Sequence, residues 1–262
     1  MSLLAEERKN VILEIINANG KVKVNALVKK FNVSSETIRR DLDALEDENK
    51  LKKVYGGAIK ISSAGVEPPY IKRFSKNELE KQLIGKKAAD LVEDRDTIII
   101  DVGSTAFNMV PFICEKKEIT VITNSIPAMN LLIESKNNNR FHGKIIFIGG
   151  EINAEQMTVS GPISEKVMEN LYVDKAFIAV GGMTLIQGIT SYNTLEASLS
   201  ERIIKKAKQV FVMADSSKIG AINLYKVSEI DVVDGIISDI DVPKEWKKIL
   251  KEKNIHWITA SK

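Results

Sequence analysis

The chain has 262 residues, 44% hydrophobic and 28% charged, an ordinary composition for a globular protein long enough for two unequal domains. It has no apolar run near the roughly 18 residues that span a membrane, and its N-terminus lacks the basic-then-apolar order of a signal peptide, so we expect a cytoplasmic protein without a membrane partner. Cys114 is the single cysteine and the two histidines lie far apart, so we expect no disulfide, metal or cofactor.

The net charge of +3 falls on the first 60 residues, which carry 12 Lys and Arg against 9 Asp and Glu. Bases concentrate at residues 20–40, with Glu36 as the single acid, and at residues 50–60, which contain no acid. Local basic surface of this kind is typical of a DNA contact, although it also fits a solvated charged face.

The first 60 residues predict short helices followed by a strand. A helix with apolar residues at helical spacing is expected to end near Gly20, and residues 21–24 alternate like a very short strand. Asn25 is a candidate N-cap for a second helix, and Ser34 or Ser35 for a third. Two short helices joined by a tight turn, the second carrying arginines, predict a helix-turn-helix.

The third predicted helix divides into a core face and a DNA face. Ile38, Leu42 and Leu45 have the spacing of packed residues, which leaves the polar residues near the helix N-terminus to reach base edges in the major groove. An arginine fork fits guanine, and Asp41 is expected to orient one of the arginines. Residues 50–60 would form a wing along the DNA. The predicted DNA contacts are Ser34, Ser35, Thr37, Arg39, Arg40, Lys52, Lys53 and Tyr55.

A linker is predicted at residues 61–74, because residues 61–70 hold Ser, Gly and two prolines. We therefore divide the chain into a winged helix-turn-helix DNA-binding domain (1–60), the linker, and a larger domain (75–262). Ser75 and Glu78 have the spacing of a capping box at the start of that domain's first helix.

The larger domain alternates strand-length apolar runs with helix-compatible segments, which predicts an α/β fold. Most runs are nearly continuous in Val and Ile, as buried parallel strands are, so the sheet is expected to be mostly parallel. The predicted strands are Thr97–Ile100, Ile119–Ile122, Lys144–Ile148, Lys175–Val180, Val210–Met213, Gly235–Ile237 and His256–Thr259.

Small residues follow the first of these strands, at Gly103, Ser104 and Thr105, where a helix is expected to begin. Free backbone N–H groups and two hydroxyls at a helix start can bind a phosphate or carboxylate, although the segment also fits an ordinary turn. Further small or polar loops follow other strands, and open α/β sheets bind ligands at that edge. These loops contain Asn124, Ser125, Gly150, Gly161, Gly181, Asp215 and Lys218.

The segment from Val33 to Leu42, VSSETIRRDL, followed by VYGGA at residues 54–58, resembles the N-terminal signature of the DeoR family of repressors. Residues 75–240 resemble the C-terminal domain of the same family, through Gly103-Ser104-Thr105, the DKAF run that starts at Asp174, and DSSK at residues 215–218. That domain is similar in fold to ribose-phosphate isomerases and CoA transferases.

The resemblance implies a repressor of a sugar or carbohydrate operon, acting as a homodimer or homotetramer on operator DNA and released by a phosphorylated metabolite, a sugar phosphate. It implies Gly103, Ser104 and Thr105 on the phosphate, with other residues near the sugar hydroxyls. The implied effector-binding residues are Asp101, Gly103, Ser104, Thr105, Asn124, Ser125, Gly150, Gly161, Asp174, Gly181, Glu196, Asp215 and Lys218.

The sequence departs from the family pattern at Ser200, where the family usually carries a lysine four residues after the glutamate, and at Ser238, where Thr is usual. The missing lysine removes a positive charge from the expected pocket, so the ligand can differ from a typical phosphosugar.

Alternatives remain open for single residues and for the function. Asp174 also fits a surface pair with Lys175, Glu196 a solvated helix residue, Lys218 an ion-pair partner and Asp215 a turn cap. The alternative functions are a sugar-phosphate isomerase that carries a DNA-binding domain, an activator, and a regulator that responds to a protein partner.

Overall fold

The structure, a computed structural model, describes residues 5–19, 21–48, 50–54, 56–59 and 67–261. The chain separates into two compact units, Met1–Ala64 and Gly65–Lys262. One buried apolar cluster lies in the first unit, and two lie in the second. No helix in the described ranges has both the length and the apolar composition needed to cross a membrane.

The first unit is a winged helix-turn-helix. Its described elements are α1 (Ala5–Asn19), β1 (Lys21–Lys23), α2 (Val24–Phe31), α3 (Ser35–Asp47), β2 (Lys52–Val54) and β3 (Gly57–Ile59). The strands pair antiparallel in the order β1-β3-β2. Gly57 allows β1 and β3 to approach, because a Cβ there would lie 2.0 Å from the carbonyl oxygen of Val22.

Helix α3 begins as predicted, since the Ser34 hydroxyl accepts a hydrogen bond from the N–H of Thr37 at 3.1 Å. The predicted cap at Asn25 is wrong: the N-cap of α2 is Lys23, two residues earlier, and the helix begins at Val24 without a side-chain cap. Val24 is buried and its N–H donates to the carbonyl of Gly56 at 2.9 Å, so the turn before β3 satisfies the start of the helix.

The second unit contains the remaining elements in chain order. They are α4 (Tyr70–Phe74), α5 (Glu78–Asp90), β4 (Thr97–Ile100), α6 (Ser104–Phe107), α7 (Val110–Ile113), β5 (Thr120–Thr123), α8 (Ile126–Asn137), β6 (Lys144–Phe147), β7 (Glu151–Asn153), β8 (Thr158–Ser160), α9 (Pro162–Met168), β9 (Val173–Ala179), β10 (Gly182–Thr184), β11 (Gly188–Ser191), α10 (Thr194–Lys206), β12 (Ala207–Met213), β13 (Tyr225–Ser228), β14 (Gly235–Ser238), α11 (Lys244–Glu252) and β15 (His256–Thr259), with 3₁₀ turns at Ser216–Lys218 and Ile230–Val232.

Seven parallel strands form the central sheet, in the order β15-β14-β12-β9-β4-β5-β6. This confirms the predicted α/β fold and its mostly parallel sheet. One buried cluster joins the sheet to α5–α8, and the other joins the opposite face to α9–α11. Burial on both faces explains why the strands are continuous in Val and Ile.

Short antiparallel strands flank the central sheet and were not predicted. β7 pairs with β8, and β10, β11 and β13 form a separate sheet. These strands have three or four residues each, too few for an apolar alternation to stand out in the sequence.

Part of the predicted linker is wrong. Residues 61–66 lie outside the described residues, but residues 67–74 are packed into the second unit and end in α4. Tyr70 is only 5% exposed, and the Phe74 ring lies edge-on to Phe107 at 5.5 Å. The apolar side chains that follow the two prolines therefore bury surface, which a free linker does not do.

The predicted capping box at Ser75 and Glu78 is also wrong. Asn77 is the N-cap of α5, in the left-handed conformation with φ 54°, and its side chain does not cap the helix. The Asn77 amide instead donates to the carboxylate of Asp215 at 3.0 Å, so a long-range hydrogen bond replaces the local one.

Candidate functional site

The N-terminal half of α3 presents hydroxyls and cations to solvent. Ser34, Ser35, Arg39 and Arg40 are exposed and Thr37 is half-buried, while Ile38 is fully buried on the opposite face. The Arg40 side chain is 81% exposed, and its Nε lies 3.9 Å from the exposed Glu36 carboxylate. The first unit thus offers a polar, cationic helix end of the kind that enters a major groove.

Asp41 does not orient the neighbouring arginines, as the sequence suggested. Its carboxylate accepts hydrogen bonds from Nε of Arg8 at 2.6 Å and from Nη2 of Arg8 at 3.1 Å, and both side chains are buried. Asp41 follows Ile38 by one helical turn, so it lies on the core side of α3. The pair therefore ties α1 to α3 inside the first unit.

The predicted wing is a β2–β3 hairpin. Lys53 is the one predicted basic DNA contact of the wing whose side chain the structure describes, and it is already paired with an acid. The Lys53 ammonium bonds Asp43, which raises the pKa of Lys53, and the Lys53 N–H donates to Glu46 at 2.7 Å. Tyr55 and the side chain of Lys52 lie outside the described residues.

In the second unit, the chain adds β5 and β6 on one side of β4, and β12, β14 and β15 on the far side of β9. β4 and β9 are therefore the two strands at the switch point of the sheet, and a cleft lies at their carboxyl ends. Doubly wound sheets bind ligands at such a point. The enclosed volume is about 30 Å³, enough for a water-sized molecule. The polar and glycine residues that line it are Glu67, Arg73, Asp101, Gly103, Gly181, Thr190, Ser191, Glu196 and Ser200.

Asp101 forms the polar base of this cleft. Its carboxylate accepts hydrogen bonds from the Ser200 hydroxyl at 2.6 Å, the Val102 N–H at 2.8 Å and the Asn124 amide at 3.0 Å. Burial raises the pKa of Asp101 to about 6, although the three hydrogen bonds oppose that rise. Ser200, at the position where the resemblance implies a lysine, therefore supplies a hydroxyl donor in place of the expected cation.

Glu196 lies in the first turn of α10 and faces other acids. Burial raises its pKa to about 8, and the charges of Glu67 and Asp101 add to the rise, while Arg73 opposes it. Among the described residues, Oε1 of Glu196 and Oδ1 of Asn124 are buried without a hydrogen-bond partner. Such orphaned polar atoms are rare in folded proteins and are typical of a site that a ligand or water completes.

Cations adjoin the same acids. The Arg73 guanidinium lies 3.0 Å from the Glu67 carboxylate, and Lys218 interacts electrostatically with both Glu67 and Asp215. Burial lowers the pKa of Lys218, and burial also lowers the pKa of Lys81 to about 8. These positive groups provide charge for an anionic ligand group.

The Gly103-Ser104-Thr105 segment is placed only partly as predicted. Gly103 lines the cleft, and a Cβ there would lie 2.3 Å from Cβ of Ala179, so glycine lets the ends of β4 and β9 approach. Ser104 and Thr105 are buried at the start of α6, a helix of only four residues. Within residues 67–261, the N–H groups of these three residues donate to no carbonyl.

The structure brings together Asp101, Gly103, Asn124, Gly181 and Glu196, with Asp215 and Lys218 beside them. Asp215 also serves as the turn cap that the sequence allowed, since it accepts hydrogen bonds from the N–H and hydroxyl of Ser217.

Three other predicted effector residues have structural roles instead. Ser125 caps α8 through the N–H of Ala128, and a Cβ at Gly150 would lie 2.0 Å from the Ser164 hydroxyl. Gly161 adopts φ 91° at the N-cap of α9, a conformation that favours glycine.

Asp174 lies away from the cleft, contrary to the implied role. It is at the amino end of β9, where its carboxylate accepts hydrogen bonds from the Thr97 N–H at 2.9 Å and the Lys208 ammonium at 2.8 Å. Asp101 follows the carboxyl end of β4, at the opposite edge of the same sheet. Asp174 therefore joins neighbouring strands.

Sequence reasoning missed Glu67, Arg73 and Lys81. Glu67 and Arg73 lie in the predicted linker, which was inferred from Pro68 and Pro69 although the buried Tyr70 follows them. Lys81 lies in a predicted helix and was not identified as a site residue. The segment EPPYIKRF contains an acid, an arginine and two aromatic residues. Such residues indicate packing against a domain and are not the composition of a free linker.

Known proteins match both units. Residues 76–240 match the DeoR C-terminal sensor domain, and residues 8–64 match the DeoR-like helix-turn-helix domain. The chain is 34% identical over 253 residues to the uncharacterized HTH-type transcriptional regulator YulB of Bacillus subtilis (strain 168), which covers 97% of this chain and 96% of that protein.

Two further relatives are named for the operons that they regulate. The putative aga operon transcriptional repressor of Escherichia coli O157:H7 is 28% identical, covering 96% of this chain and 93% of its own. The L-fucose operon activator of Haemophilus influenzae is 28% identical, covering 95% and 97%. Among solved structures, ribose 5-phosphate isomerase A from Methanocaldococcus jannaschii is 18% identical, with a TM-score of 0.40 over 55% of each chain. On the matches to both sequence domains and to YulB, the chain belongs to the DeoR family of transcriptional regulators.

Proposed function

We propose that the protein represses a sugar or carbohydrate operon by binding operator DNA through α3, and that a phosphorylated metabolite in the cleft of the second unit releases it. The observation that carries the proposal is the cleft at the carboxyl ends of β4 and β9. Glu196 lines this cleft and Asn124 bonds Asp101 at its base, and each has a buried acceptor without a partner among the described residues. A regulator that needed this unit only for assembly would not require such a site.

The cleft offers separate groups for the two ends of a sugar phosphate. Arg73, Lys218 and the backbone N–H of Gly103 suit the phosphate, while Asp101 and Glu196 suit hydroxyl donors. Because Ser200 stands where the family resemblance implies a lysine, the hydroxyl end carries less positive charge than that pattern implies. This favours a ligand with many hydroxyls or an amine at that end.

A homodimer or homotetramer suits the DNA side of the proposal. A single recognition helix covers a short half-site, and two helices on a two-fold axis read a paired site with greater specificity. The names of the relatives include one repressor and one activator, so the direction of regulation is tested together with the ligand.

Binding without turnover is the proposed role of the cleft. With a pKa of about 8, Glu196 is mostly protonated near pH 7 and is a poor general base, and Asp101 already accepts three hydrogen bonds. An isomerase would convert ribose or deoxyribose phosphates, which NMR of the incubated mixture would detect.

The test is a thermal-shift screen of the full chain against phosphorylated sugars and polyols, with the unphosphorylated compounds as controls. A ligand at 100 times its Kd stabilises its unit by about 2.7 kcal/mol. We expect a phosphorylated compound to stabilise the wild type and not Glu196→Ala or Lys218→Ala. If unphosphorylated compounds do as well as phosphorylated ones, the phosphate part of the proposal is wrong.

The DNA part is tested by selecting duplexes from a randomised pool with the full chain. We expect a two-fold-related motif to emerge, and we expect Arg39→Ala to lose it. Recovery of no motif at low salt would overturn the assignment of α3.

A further inference from the structure

Residues Glu67–Phe74, here called the strap, contribute Glu67 and Arg73 to the lining of the cleft. The strap also follows the winged helix closely in sequence. Its role in regulation rests on the proposed function. Only seven residues separate Ile59, at the end of β3, from Glu67. The strap therefore adjoins, in sequence, the segment that leads to the DNA-binding unit.

One side chain, Gln156, anchors the strap to the β7–β8 hairpin. Its oxygen accepts a hydrogen bond from Nη2 of Arg73 at 2.6 Å, and its amide donates to the carbonyls of Glu67 at 3.2 Å and Pro68 at 3.4 Å. The neighbouring Glu155 carbonyl accepts from the Tyr70 N–H at 3.0 Å. Gln156 is itself buried, so these bonds are shielded from water.

The strap also contributes two charged groups to the cleft, and they neutralise each other. Glu67 and Arg73 both line it, their side chains are 12% and 15% exposed, and their charged atoms lie 3.0 Å apart. A further donor, Nε of Arg73, bonds the Pro68 carbonyl at 3.0 Å. The carboxylate of Glu67 thus occupies the guanidinium that an incoming anion would use.

The cleft under the strap is too small for a metabolite as it stands. Its enclosed volume is about 30 Å³, far below the roughly 300 Å³ or more of small-molecule pockets. A sugar phosphate therefore requires a lining element to move. Besides the packing of Tyr70 and Phe74, the strap is held by polar contacts, and one of them, the Arg73–Glu67 pair, is a contact that an anion can replace.

We propose that the strap is the element that couples the cleft to DNA binding. An anionic group of the ligand replaces Glu67 at the Arg73 guanidinium, the Gln156 anchor is released, and the displaced strap changes the affinity of the winged helix for DNA. The strap then has two arrangements, one closed by an internal carboxylate and one opened by an external anion, which is the two-state element that coupling requires.

The internal-carboxylate step is tested by Glu67→Gln in the full chain, with inorganic phosphate as the probe. Removing the competing charge should tighten phosphate binding by about 3- to 10-fold in calorimetry, whereas Arg73→Gln should abolish it. A Glu67 that served only to hold the fold would give the opposite result, weaker binding in Glu67→Gln, and that result would overturn the exchange.

The anchor is tested by Gln156→Ala, with Gln82→Ala as the matched control, because Gln82 is exposed on α5 and bonds only Glu78 there. Hydrogen exchange of the full chain should rise at least 10-fold in peptides covering residues 67–74 of Gln156→Ala and stay unchanged in the control. Unchanged exchange in Gln156→Ala would show that the strap is not anchored as proposed.

The coupling itself is read from the affinity of the same variants for the duplex selected by the wild type. We expect Gln156→Ala to change the Kd by 5-fold or more and Gln82→Ala by less than 2-fold. Faster strap exchange with an unchanged Kd would overturn the coupling while leaving DNA binding intact. Failure of the wild type to select a duplex would instead overturn the proposed function.

Discussion

The guanidinium of Arg8 and the carboxylate of Asp41 lie 2.6 Å apart in the core of the first unit, and their side chains are 7% and 8% exposed. The pair connects α1 to α3, so the arginines of the recognition helix depend on a contact that lies on the opposite side of that helix. The pair therefore stabilises the first unit and supports the helix that we propose binds DNA.

Asp41→Ala is expected to destabilise the first unit by about 3–5 kcal/mol, because it removes the buried carboxylate that accepts two hydrogen bonds from Arg8. Calorimetry of the full chain should show one transition moving to lower temperature. Both tryptophans, Trp246 and Trp257, lie in the second unit, so tryptophan fluorescence should report an unchanged transition there. An equal shift in both signals would contradict the assignment.

Arg39→Ala and Arg40→Ala separate base contacts from phosphate contacts. An arginine that meets a guanine should cost about 1–3 kcal/mol on the selected duplex and relax specificity at one position. An arginine that meets only phosphate should weaken binding on all duplexes and reduce the salt slope by about one. Arg140→Ala, a cation of the second unit, is the control, and wild-type affinity in both α3 variants would refute the DNA face.

Glu196 should make stability depend on pH. Its pKa is raised from an ordinary 4.5 to about 8, so between these values the unfolded chain loses a proton that the folded chain keeps. Stability should therefore fall as pH rises through this window. Glu196→Gln should stabilise the second unit more at pH 8 than at pH 5, measured by urea denaturation with tryptophan fluorescence.

The exposed Glu245 of α11 provides the control for that experiment, since Glu245→Gln removes a carboxylate outside the cleft. We expect it to have the same small effect at both pH values. If Glu196→Gln increases the stability of the second unit equally at pH 5 and pH 8, burial does not keep Glu196 protonated.

Ser200→Ala tests the hydroxyl that bonds the Asp101 carboxylate at the base of the cleft. The Ser200 hydroxyl donates to Asp101 at 2.6 Å and opposes the rise of the Asp101 pKa, so its removal should raise that pKa above about 6. Carboxyl carbon NMR can follow this titration. Loss of a hydrogen bond to a charged group should also cost about 1.5–3 kcal/mol at pH 8. An unchanged or lower pKa would contradict the contact.

Asp174→Ala tests which edge of the sheet binds the ligand. Because Asp174 lies at the amino end of β9, the variant should keep the wild-type affinity for a stabilising sugar phosphate, within about 2-fold. Asp101→Ala, at the carboxyl end of β4, should lose it. The reverse pattern would move the site to the other edge.

The sequence predicted what depends on local pattern. The seven strands of the central sheet coincide with seven Val- and Ile-rich runs, and Ser34 caps α3, because burial on two faces and helix capping leave signals within a few residues. Short flanking strands left no such signal.

The errors concern contacts between distant residues. Asp41 was assigned to neighbouring arginines, whereas its partner lies 33 residues away. Strand direction, which the sequence does contain, separates the two residues, since Asp174 lies at the amino end of β9 and Asp101 follows the carboxyl end of β4. The strap was obscured by Pro68 and Pro69, which indicate a turn but do not exclude packing.

The most direct measurement is a titration of the full chain and its selected duplex with a sugar phosphate that stabilises the protein. We predict that saturating sugar phosphate raises the Kd for the duplex about 5- to 150-fold, and that bound duplex raises the Kd for the sugar phosphate by the same factor. An identical duplex affinity with and without saturating sugar phosphate would contradict ligand control of this regulator.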